Sequence, residues 1–437
     1  MVDQRHLRIG VDIGGTFTDL VLHDTAARRV VAHKVPTTPS DPAEGALKGL
    51  RELTALAGTT LADIDELVHG TTLVTNAVIE GKGAPIAMLT TKGFRDVLEL
   101  GTEQRYDIYD LFLAFPAPLV PRDLRLEIAE RIDRDGRPVT PLEEDAVRAA
   151  LSACVARGIQ AVAVCFINSY RNDEHEKRVG EIAAREFPGL AVSLSASVGC
   201  EIREYPRFVT TCANAFVQPL MARYLERLQD ELARAGFAGS FRLMHSAGVL
   251  VSADVAIRHP IRLLESGPAG GGLASALFAR LAGRSDVVAF DMGGTTAKAT
   301  LIRDGRIETA SGMEAARVDR FAKGSGLPIE IPVIDMIEIG AGGGSIARID
   351  EVGLLKVGPH SASSLPGPAC YGFGGTEPTV TDANLVLGYY DPGFFLGGRM
   401  RLDLEAAGTA LAKVAAPLGL SIEDAALGIH RTVNESM

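Results

Sequence analysis

The chain has 437 residues, of which 46% are hydrophobic, and it carries a formal net charge of −11 with a pI near 5.4. This length and apolar content predict two or three domains with separate cores. The acidic balance excludes a general electrostatic surface for nucleic acid or an anionic membrane. No uninterrupted apolar run reaches the ~18 residues of a membrane span, and no leader precedes the first strand, so we expect a cytoplasmic protein.

The cysteines indicate neither a zinc site nor a disulfide framework. They are scattered and include no C-x-x-C pair, which is typical of a protein in a reducing compartment. There are five of them: Cys154, Cys165, Cys200, Cys212 and Cys370.

The first motif, at residues 8–19, reads RIGVDIGGTFTD and predicts a phosphate-binding hairpin. A short apolar strand ends at Asp12 and turns at once through two glycines, which allow the backbone to approach a ligand closely. Backbone N–H and threonine hydroxyl groups can donate to phosphate, and a carboxylate at this place can hold Mg²⁺ on the phosphates. A plain β-turn is the alternative. The candidate phosphate-binding residues are Gly14, Gly15, Thr16 and Thr18.

Further along the chain, the pattern predicts an antiparallel meander over residues 11–35 and a helix over residues 42–57. A polar cluster follows in the segment ELVHGTTLVTNA at residues 66–77. Turn chemistry alone favours a strand end, a helix cap and a satisfied histidine at His69. The cluster consists of His69, Thr71, Thr72, Thr75 and Asn76.

Helices and strands then alternate between residues 142 and 194, which predicts a partly parallel sheet. His175 lies in the charged segment DEHEKR, and we interpret it as part of a solvated helix face because no second histidine follows at helical spacing. A long helix over residues 206–236 is expected to leave the first domain. We therefore predict two domains, at residues 1–208 and 209–437.

The first motif recurs in the second half, where residues 287–298 read VVAFDMGGTTAK. Strand, aspartate, glycine pair and threonine all repeat, so coincidence between two glycine-rich turns is the weaker interpretation. Two such loops facing each other across a cleft could hold the phosphates of a nucleotide from both sides. The residues of the second loop are Asp291, Gly293, Gly294, Thr295 and Thr296.

Two further glycine-rich segments are candidates for ligand contact. ESGPAGG, from Glu265, opens a helix, where backbone amides favour an anion, although close helix packing explains it equally well. The segment at residues 340–344 has more glycines than a hairpin needs, which favours backbone approach to a ligand. Its candidate residues are Gly342, Gly343 and Gly344.

Taken together, these motifs resemble those of the A subunit of the hydantoinase/5-oxoprolinase family, and the likeness extends from Leu7 to the last residue. The family is similar to actin in its nucleotide-binding fold, so the resemblance implies an α/β, two-domain, actin-like (ribonuclease H-like) ATPase fold. The motifs are IGVDIGGTFTD, HGTTLVTNAVIEGKGAPIAMLTTKGFRDVLELG from His69, ESGPAGG, DMGGTTAK, EIGAGGGSIARID from Glu338 and GPACYGFGGTEPTVTDANLVLG from Gly367.

The resemblance implies ATP-dependent opening of a hydantoin or a 5-oxoproline-like lactam. Asp12 and Asp291 would hold Mg²⁺ and orient the attack, the two Gly-Gly-Thr loops would hold the phosphates of ATP, and His69 would line the cleft with a hypothetical catalytic role. A separate B subunit would assist ring opening, so an oligomer is expected.

The sequence leaves alternative functions open, and it raises a question about the second domain. A subunit of an ATP-dependent acetone or acetophenone carboxylase resembles the same family, and a sugar kinase or a non-enzymatic nucleotide switch is a less favoured alternative. The second domain has few strands after its hairpin, so we expect it to be incomplete at its C-terminal side.

Overall fold

The computed structural model describes residues 6–14, 17–38, 41–319 and 322–437. Twelve helices and 22 strands occur in these ranges. The helices are α1 (Pro42–Ala57), α2 (Leu73–Glu80), α3 (Val97–Leu100), α4 (Glu144–Ala156), α5 (Glu174–Glu186), α6 (Ser195–Val198), α7 (Glu204–Arg234), α8 (Ala253–Arg258), α9 (Ser266–Leu281), α10 (Val380–Val386), α11 (Leu404–Leu418) and α12 (Ile422–Ser436).

Strands of the first half are β1 (Leu7–Ile13), β2 (Phe17–Asp24), β3 (Arg29–Pro36), β4 (Glu66–Thr71), β5 (Ile86–Thr91), β6 (Arg125–Ile128), β7 (Arg131–Ile132), β8 (Pro138–Thr140), β9 (Ala161–Cys165) and β10 (Ala191–Leu194). Those of the second half are β11 (Ser240–Met244), β12 (Leu250–Ser252), β13 (Val287–Met292), β14 (Ala297–Arg303), β15 (Arg306–Ile307), β16 (Thr309–Ala310), β17 (Met313–Ala315), β18 (Leu327–Ile329), β19 (Val333–Ile334), β20 (Ile337–Ile339), β21 (Ser345–Ile349) and β22 (Leu355–Ser361).

The largest sheet has six strands in the order β12-β11-β4-β1-β2-β3. β1, β2 and β3 form the antiparallel meander, while β4 runs parallel to both β1 and β11. Buried and exposed residues alternate along β1, because one of its faces covers the core. The carboxyl ends of β1 and β4 therefore meet at one edge of the sheet, where ligands bind in open α/β sheets.

A second, fully parallel sheet, ordered β10-β9-β5-β6, is inserted between β4 and β11 in the sequence. All five residues of β9 are buried, as expected for a parallel strand covered on both faces. Helices α4 and α5 pack against this sheet and complete its core.

The predicted domain boundary at residue 208 stays a prediction. Residue 208 lies inside α7, which runs unbroken through Pro219 for 31 residues. Phe208 and Leu225, on either side of Pro219, pack in the same core as β1, β4 and β11. After α7 the chain returns to the first sheet, where β11 and β12 form its last two strands.

The second hairpin, β13–β14, starts a new sheet that also contains β15 and β20. A separate core forms between Ala297 and Ile339 of this sheet, the β21–β22 hairpin and helices α10, α11 and α12. No helix in the ranges that the structure describes is long and apolar enough to cross a membrane.

Candidate active site

The first phosphate loop joins β1 to β2, as the sequence predicts. The backbone N–H of Gly14 donates to the carbonyl of Phe17 at 3.0 Å, and the hydroxyl of Thr37 donates to the Gly14 carbonyl at 2.9 Å. These contacts fix the base of the loop. Two of the predicted phosphate-binding residues, Gly15 and Thr16, lie outside the described residues.

Asp12 is the acidic residue at the end of β1, and two glycines from other elements lie directly against its carboxylate. A β-carbon built on Gly70 at the end of β4 would be 2.9 Å from Oδ1 of Asp12. A β-carbon on Gly267, in the first turn of α9, would be 3.1 Å from the same oxygen. Asp12 thus sits at the junction of β1, β4 and α9, and a side chain at Gly70 would require its carboxylate to shift.

Protein surroundings raise the pKa of Asp12 from its ordinary value to about 6. Burial is the largest cause, followed by the negative charges of Asp19 and Asp291, while Lys34 opposes the rise. The residue still reaches solvent, so it can contact a ligand. The effect of Asp291 on Asp12 indicates that the two carboxylates are close enough for their charges to interact.

The second phosphate loop repeats the geometry of the first. The N–H of Gly293 donates to the carbonyl of Thr296 at 2.9 Å, which matches the contact between Gly14 and Phe17. The N–H groups of Gly294 and Thr295 have no acceptor in the part of the chain that the structure describes. Both residues, like Asp291, are exposed. Free amides in an exposed glycine-rich turn form an anion-binding concavity.

The glycines at residues 342–344 are placed differently from the prediction. Their amides are already bonded within the protein: the first donates to Oγ of Ser345 at 2.9 Å, and the next two donate to the carbonyls of Gly293 and Gly294 at 3.0 and 2.6 Å. A β-carbon on Gly342 would lie 2.7 Å from the N atom of Thr295. These glycines therefore support the second phosphate loop from behind, and their amides are not available to a ligand.

His69 does not line the cleft. Its side chain is buried, its Nδ1 lies 3.3 Å from the carbonyl oxygen of Val11, and its Nε2 lies 2.7 Å from the hydroxyl of Tyr224. Burial lowers its pKa to about 4, so the ring is neutral at pH 7. The alternation along β4 turns His69 to the core side of the sheet. The structure thus gives His69 a buried, structural position, and its hypothetical catalytic role stays untested.

Thr18 also faces the interior. It is completely buried, and its hydroxyl lies 3.1 Å from that of Thr37. Asp19, the next residue, is the one directly opposite Asp12 in the β1–β2 register. Because side chains of a strand alternate between faces, Thr18 and Asp12 lie on opposite faces of the sheet, which does not favour the predicted phosphate contact of Thr18.

The start of α9 connects the two halves of the site. Oγ of Ser266 accepts from the N–H of Thr71 at 3.2 Å and donates to the Thr71 carbonyl at 3.1 Å. The N–H of Glu265 donates to the hydroxyl of Thr75 at 3.2 Å. The carboxylate of Glu265 forms an ion pair with Lys298 of β14, and both side chains are largely buried. The motifs at residues 66–77 and 265–272 are thus parts of one junction.

Sequence reasoning missed Gly70 and Lys298. Lys298 lies directly opposite both Asp291 of β13 and Glu338 of β20, so the three side chains share one face of the sheet. The sequence carries a signal for Lys298, because the corresponding position of the first motif is an acidic residue, Asp19. Two sequence-similar loops thus present opposite charges at the same hairpin position.

The carboxylates fit Mg²⁺ bound together with a nucleotide. No group of three or more His, Cys, Asp or Glu side chains in the described ranges could hold a metal by itself. Mg²⁺ often takes only one or two carboxylates, with phosphate oxygens and water completing its shell. Burial and acidic neighbours raise the pKa of Asp12, and a bound Mg²⁺ would supply positive charge that offsets them.

Comparison with known proteins places these features in one family. The hydantoinase/oxoprolinase profile matches residues 207–437, and the profile of the hydantoinase/oxoprolinase N-terminal region matches residues 8–187. The chain belongs to the hydantoinase/oxoprolinase family.

Relatives of known name support this assignment. Caprolactamase subunit alpha of Pseudomonas jessenii is 39% identical over 100% of this chain and 62% of the relative. The 5-oxoprolinase of Saccharomyces cerevisiae is 32% identical over 99% of this chain and 36% of the relative. The chain therefore spans less than two thirds of the length of these relatives.

Solved structures confirm the α/β, actin-like ATPase fold. A nucleotide-free structure of acetone carboxylase superposes with a TM-score of 0.84 and 28% identity, over 99% of this chain and 62% of that one. The crystal structure of the ATP-dependent caprolactamase from Pseudomonas jessenii gives a TM-score of 0.79 and 40% identity, over 98% of this chain and 62% of the caprolactamase chain.

Proposed function

We propose that the chain is the nucleotide-binding part of an ATP-dependent hydrolase that opens a cyclic amide, such as a hydantoin or a lactam. The observation that carries this proposal is the pair of Asp-Gly-Gly-Thr hairpins whose aspartates, Asp12 and Asp291, are near enough to influence each other. Two facing loops of this kind suit a polyphosphate bound between them. Relatives named as a caprolactamase subunit and as 5-oxoprolinase support a cyclic amide as the second substrate.

Each part of the site has a role in phosphoryl transfer. The free amides of Gly294 and Thr295 donate to phosphate oxygens, and Gly14 shapes the first loop for the same purpose. Asp12 and Asp291 hold Mg²⁺, which neutralises charge on the phosphates. Gly15 and Thr16 belong to the first loop by sequence. The glycines at residues 342–344 hold the second loop in shape.

The chemistry follows from the poor electrophilicity of an amide carbonyl. The γ-phosphoryl group moves from ATP to the carbonyl oxygen, and ADP leaves. Water then attacks the activated carbon, and the ring C–N bond breaks as nitrogen takes a proton, which leaves an acyl phosphate. A second water attacks the carbon of this acyl phosphate, its C–O bond breaks, and phosphate leaves with the original carbonyl oxygen. The products are ADP, phosphate and an open-chain acid, which is an amino acid from a lactam and an N-carbamoyl amino acid from a hydantoin.

A ketone carboxylase subunit is the second candidate. It is favoured by one observation, the TM-score of 0.84 with acetone carboxylase. The same loops would then phosphorylate an enol oxygen in place of an amide oxygen. The two functions differ in the substrate that stimulates ATP turnover.

A partner subunit is part of the proposal. The related caprolactamase, acetophenone carboxylase and acetone carboxylase chains are named as subunits. We infer that this chain works in a hetero-oligomer with a B subunit of the same family, in the cytoplasm.

The test is ATP turnover by the enzyme assembled with its B subunit, measured with hydantoin, lactams, acetone and acetophenone, the ketones with bicarbonate. Stimulation by a cyclic amide is expected. Asp12→Asn and Asp291→Asn should each abolish it without a loss of melting temperature, since each removes a charge that faces the phosphates and no packing contact. Stimulation by ketones alone, or full turnover in either variant, would contradict the proposal.

A further inference from the structure

A cavity of about 160 Å³ lies beside the second phosphate loop. Thr295 and Thr296 of that loop line it, together with Thr75 of α2 and Glu265 at the start of α9. A small molecule in this cavity would lie next to a phosphoryl group held by the loop. Its position suits the acceptor of the phosphoryl group, since the reacting atoms must be close together.

Part of the cavity wall is aliphatic. Ile79, Leu264 and Met313 contribute to its lining, and Ala315 and Ala316 of the β17 region add small side chains. Ligand pockets commonly combine such apolar surface with a few polar groups that fix orientation. The methylene groups of a small ring match this wall.

The charged part of the wall is acidic. Glu265, Glu314 and Glu338 line the cavity, and Arg317 is the one cation among its described lining residues. The guanidinium of Arg317 is engaged by the carboxylate of Glu314, at 3.1 Å. The carboxylate of Glu265 is engaged by the ammonium group of Lys298. The local charge is therefore negative, and no cation in the described lining is left to receive a substrate carboxylate.

The adjoining cavity, of about 540 Å³, continues this pattern. It shares Glu265, Glu314, Arg317 and Glu338 with the smaller one. Five acidic and three basic described residues line this larger cavity. The charged residues that line it and not the smaller cavity are Lys298, Lys323, Glu330 and Asp335. Acidic residues therefore outnumber basic ones in the described lining of both cavities, and like charges at close range disfavour an anionic substrate.

We propose that the smaller cavity binds the cyclic amide and that it selects an uncharged ring over one that carries a carboxylate. This proposal rests on the proposed function and specifies its substrate class. The N–H of an uncharged cyclic amide can donate to a wall carboxylate, and its carbonyl oxygen can accept from a threonine hydroxyl. A carboxylate on the ring would instead lie among the glutamates.

Three matched compounds test the proposal in ATP turnover by the enzyme assembled with its B subunit. They are 2-pyrrolidinone, 5-oxoproline, which is the same ring with a carboxylate, and 5-oxoprolinamide, which has nearly the same size as 5-oxoproline without the charge. We expect kcat/KM for both uncharged compounds to exceed that for 5-oxoproline by about 100-fold or more, because the added carboxylate would lie beside the glutamates of the wall. Equal or better turnover of 5-oxoproline would overturn the proposal and leave the proposed function standing.

The same assay separates charge from size. If 5-oxoprolinamide is as poor a substrate as 5-oxoproline while 2-pyrrolidinone is good, the cavity selects by size and the proposal is wrong. If no cyclic amide stimulates turnover and acetophenone with bicarbonate does, the proposed function fails, and the proposal with it.

A substitution tests the cause of the selectivity. Glu338 is exposed on β20, so Glu338→Gln removes one wall charge with little effect on the fold. It should reduce the preference for 5-oxoprolinamide over 5-oxoproline by about tenfold, while Glu351→Gln, in an exposed turn outside both cavities, should leave it unchanged. An unchanged preference in Glu338→Gln would contradict the electrostatic explanation.

Discussion

Gly70 and Asp12 are in contact across two parallel strands, and a β-carbon on Gly70 would lie 2.9 Å from Oδ1 of Asp12. Gly70→Ala must therefore displace the carboxylate that faces the second phosphate loop. We expect kcat/KM for ATP turnover to fall by about 100-fold, since catalysis is sensitive to misplacement of a catalytic group by ~1 Å.

Gly10→Ala is the matched control for this substitution. Gly10 lies in the neighbouring strand β1, and a β-carbon there would have no atom within 4 Å. Its turnover should stay at the wild-type level. If Gly70→Ala keeps the same turnover as Gly10→Ala, the contact between Gly70 and Asp12 does not matter for activity.

The pKa of Asp12 provides a second prediction. Because that pKa is raised to about 6, first by burial and then by Asp19 and Asp291, the carboxyl group takes up a proton as the pH falls through about 6. The carboxylate must be ionised to hold Mg²⁺. The affinity for Mg²⁺·ATP should therefore decrease as the pH is lowered through about 6.

Two substitutions should move the midpoint of this titration in opposite directions. Asp291→Asn removes a negative charge and should lower the pKa of Asp12, whereas Lys34→Met removes the opposing positive charge and should raise it. Carboxyl ¹³C NMR of the nucleotide-free chain would follow Asp12 directly, with Glu351→Gln as the control. An unchanged midpoint in Asp291→Asn would show that the two loops do not face each other.

Gly342 should be intolerant of any side chain. A β-carbon there would lie 2.7 Å from backbone atoms of Gly293, Gly294 and Thr295, which cannot move without deforming the second phosphate loop. We expect Gly342→Ala to lower the unfolding free energy by about 1–3 kcal/mol and to weaken nucleotide binding at the same time.

Gly189→Ala provides the reference, because a β-carbon at Gly189 would meet no atom within 4 Å. Denaturant unfolding and calorimetric titration of ATP would measure both effects. Loss of affinity in Gly342→Ala with wild-type stability would instead indicate that these glycines approach the nucleotide.

His69 should matter for stability and not for chemistry. His69→Phe leaves the buried hydroxyl of Tyr224 without its partner at 2.7 Å, which should cost about 1–3 kcal/mol of unfolding free energy. Below the melting temperature, kcat per folded molecule should be unchanged. A large loss of kcat in a folded His69→Phe enzyme would restore the catalytic hypothesis.

The sequence was sufficient to predict the two hairpins, because a strand followed by an aspartate and two glycines specifies a tight turn. It could not predict which side of a strand faces the ligand, since Thr18 and His69 are polar residues on buried faces. The same difficulty affects His175, which we interpreted as solvated. Its Nδ1 lies 2.8 Å from the buried carboxylate of Glu130, which is remote in sequence.

The domain boundary and the role of the third glycine segment depend on contacts between distant residues. A long amphipathic helix looks like an exit from a domain, but α7 packs along its length on a core to which β11 later returns. Likewise, the glycine content of residues 340–344 predicts a close approach of backbone. Only the structure identifies the approaching group as the second phosphate loop, through Gly293 and Gly294.

The central claim is that ATP activates a cyclic amide by phosphorylation of its carbonyl oxygen, and the fate of that oxygen tests it most directly. The assembled enzyme would be supplied with ATP and a cyclic amide labelled with ¹⁸O at the carbonyl, and the released phosphate would be analysed by mass spectrometry. We predict one ¹⁸O atom in each phosphate released during ring opening, because the C–O bond breaks after phosphorylation. Unlabelled phosphate, with the ¹⁸O retained in the carboxylate of the product, would contradict the account.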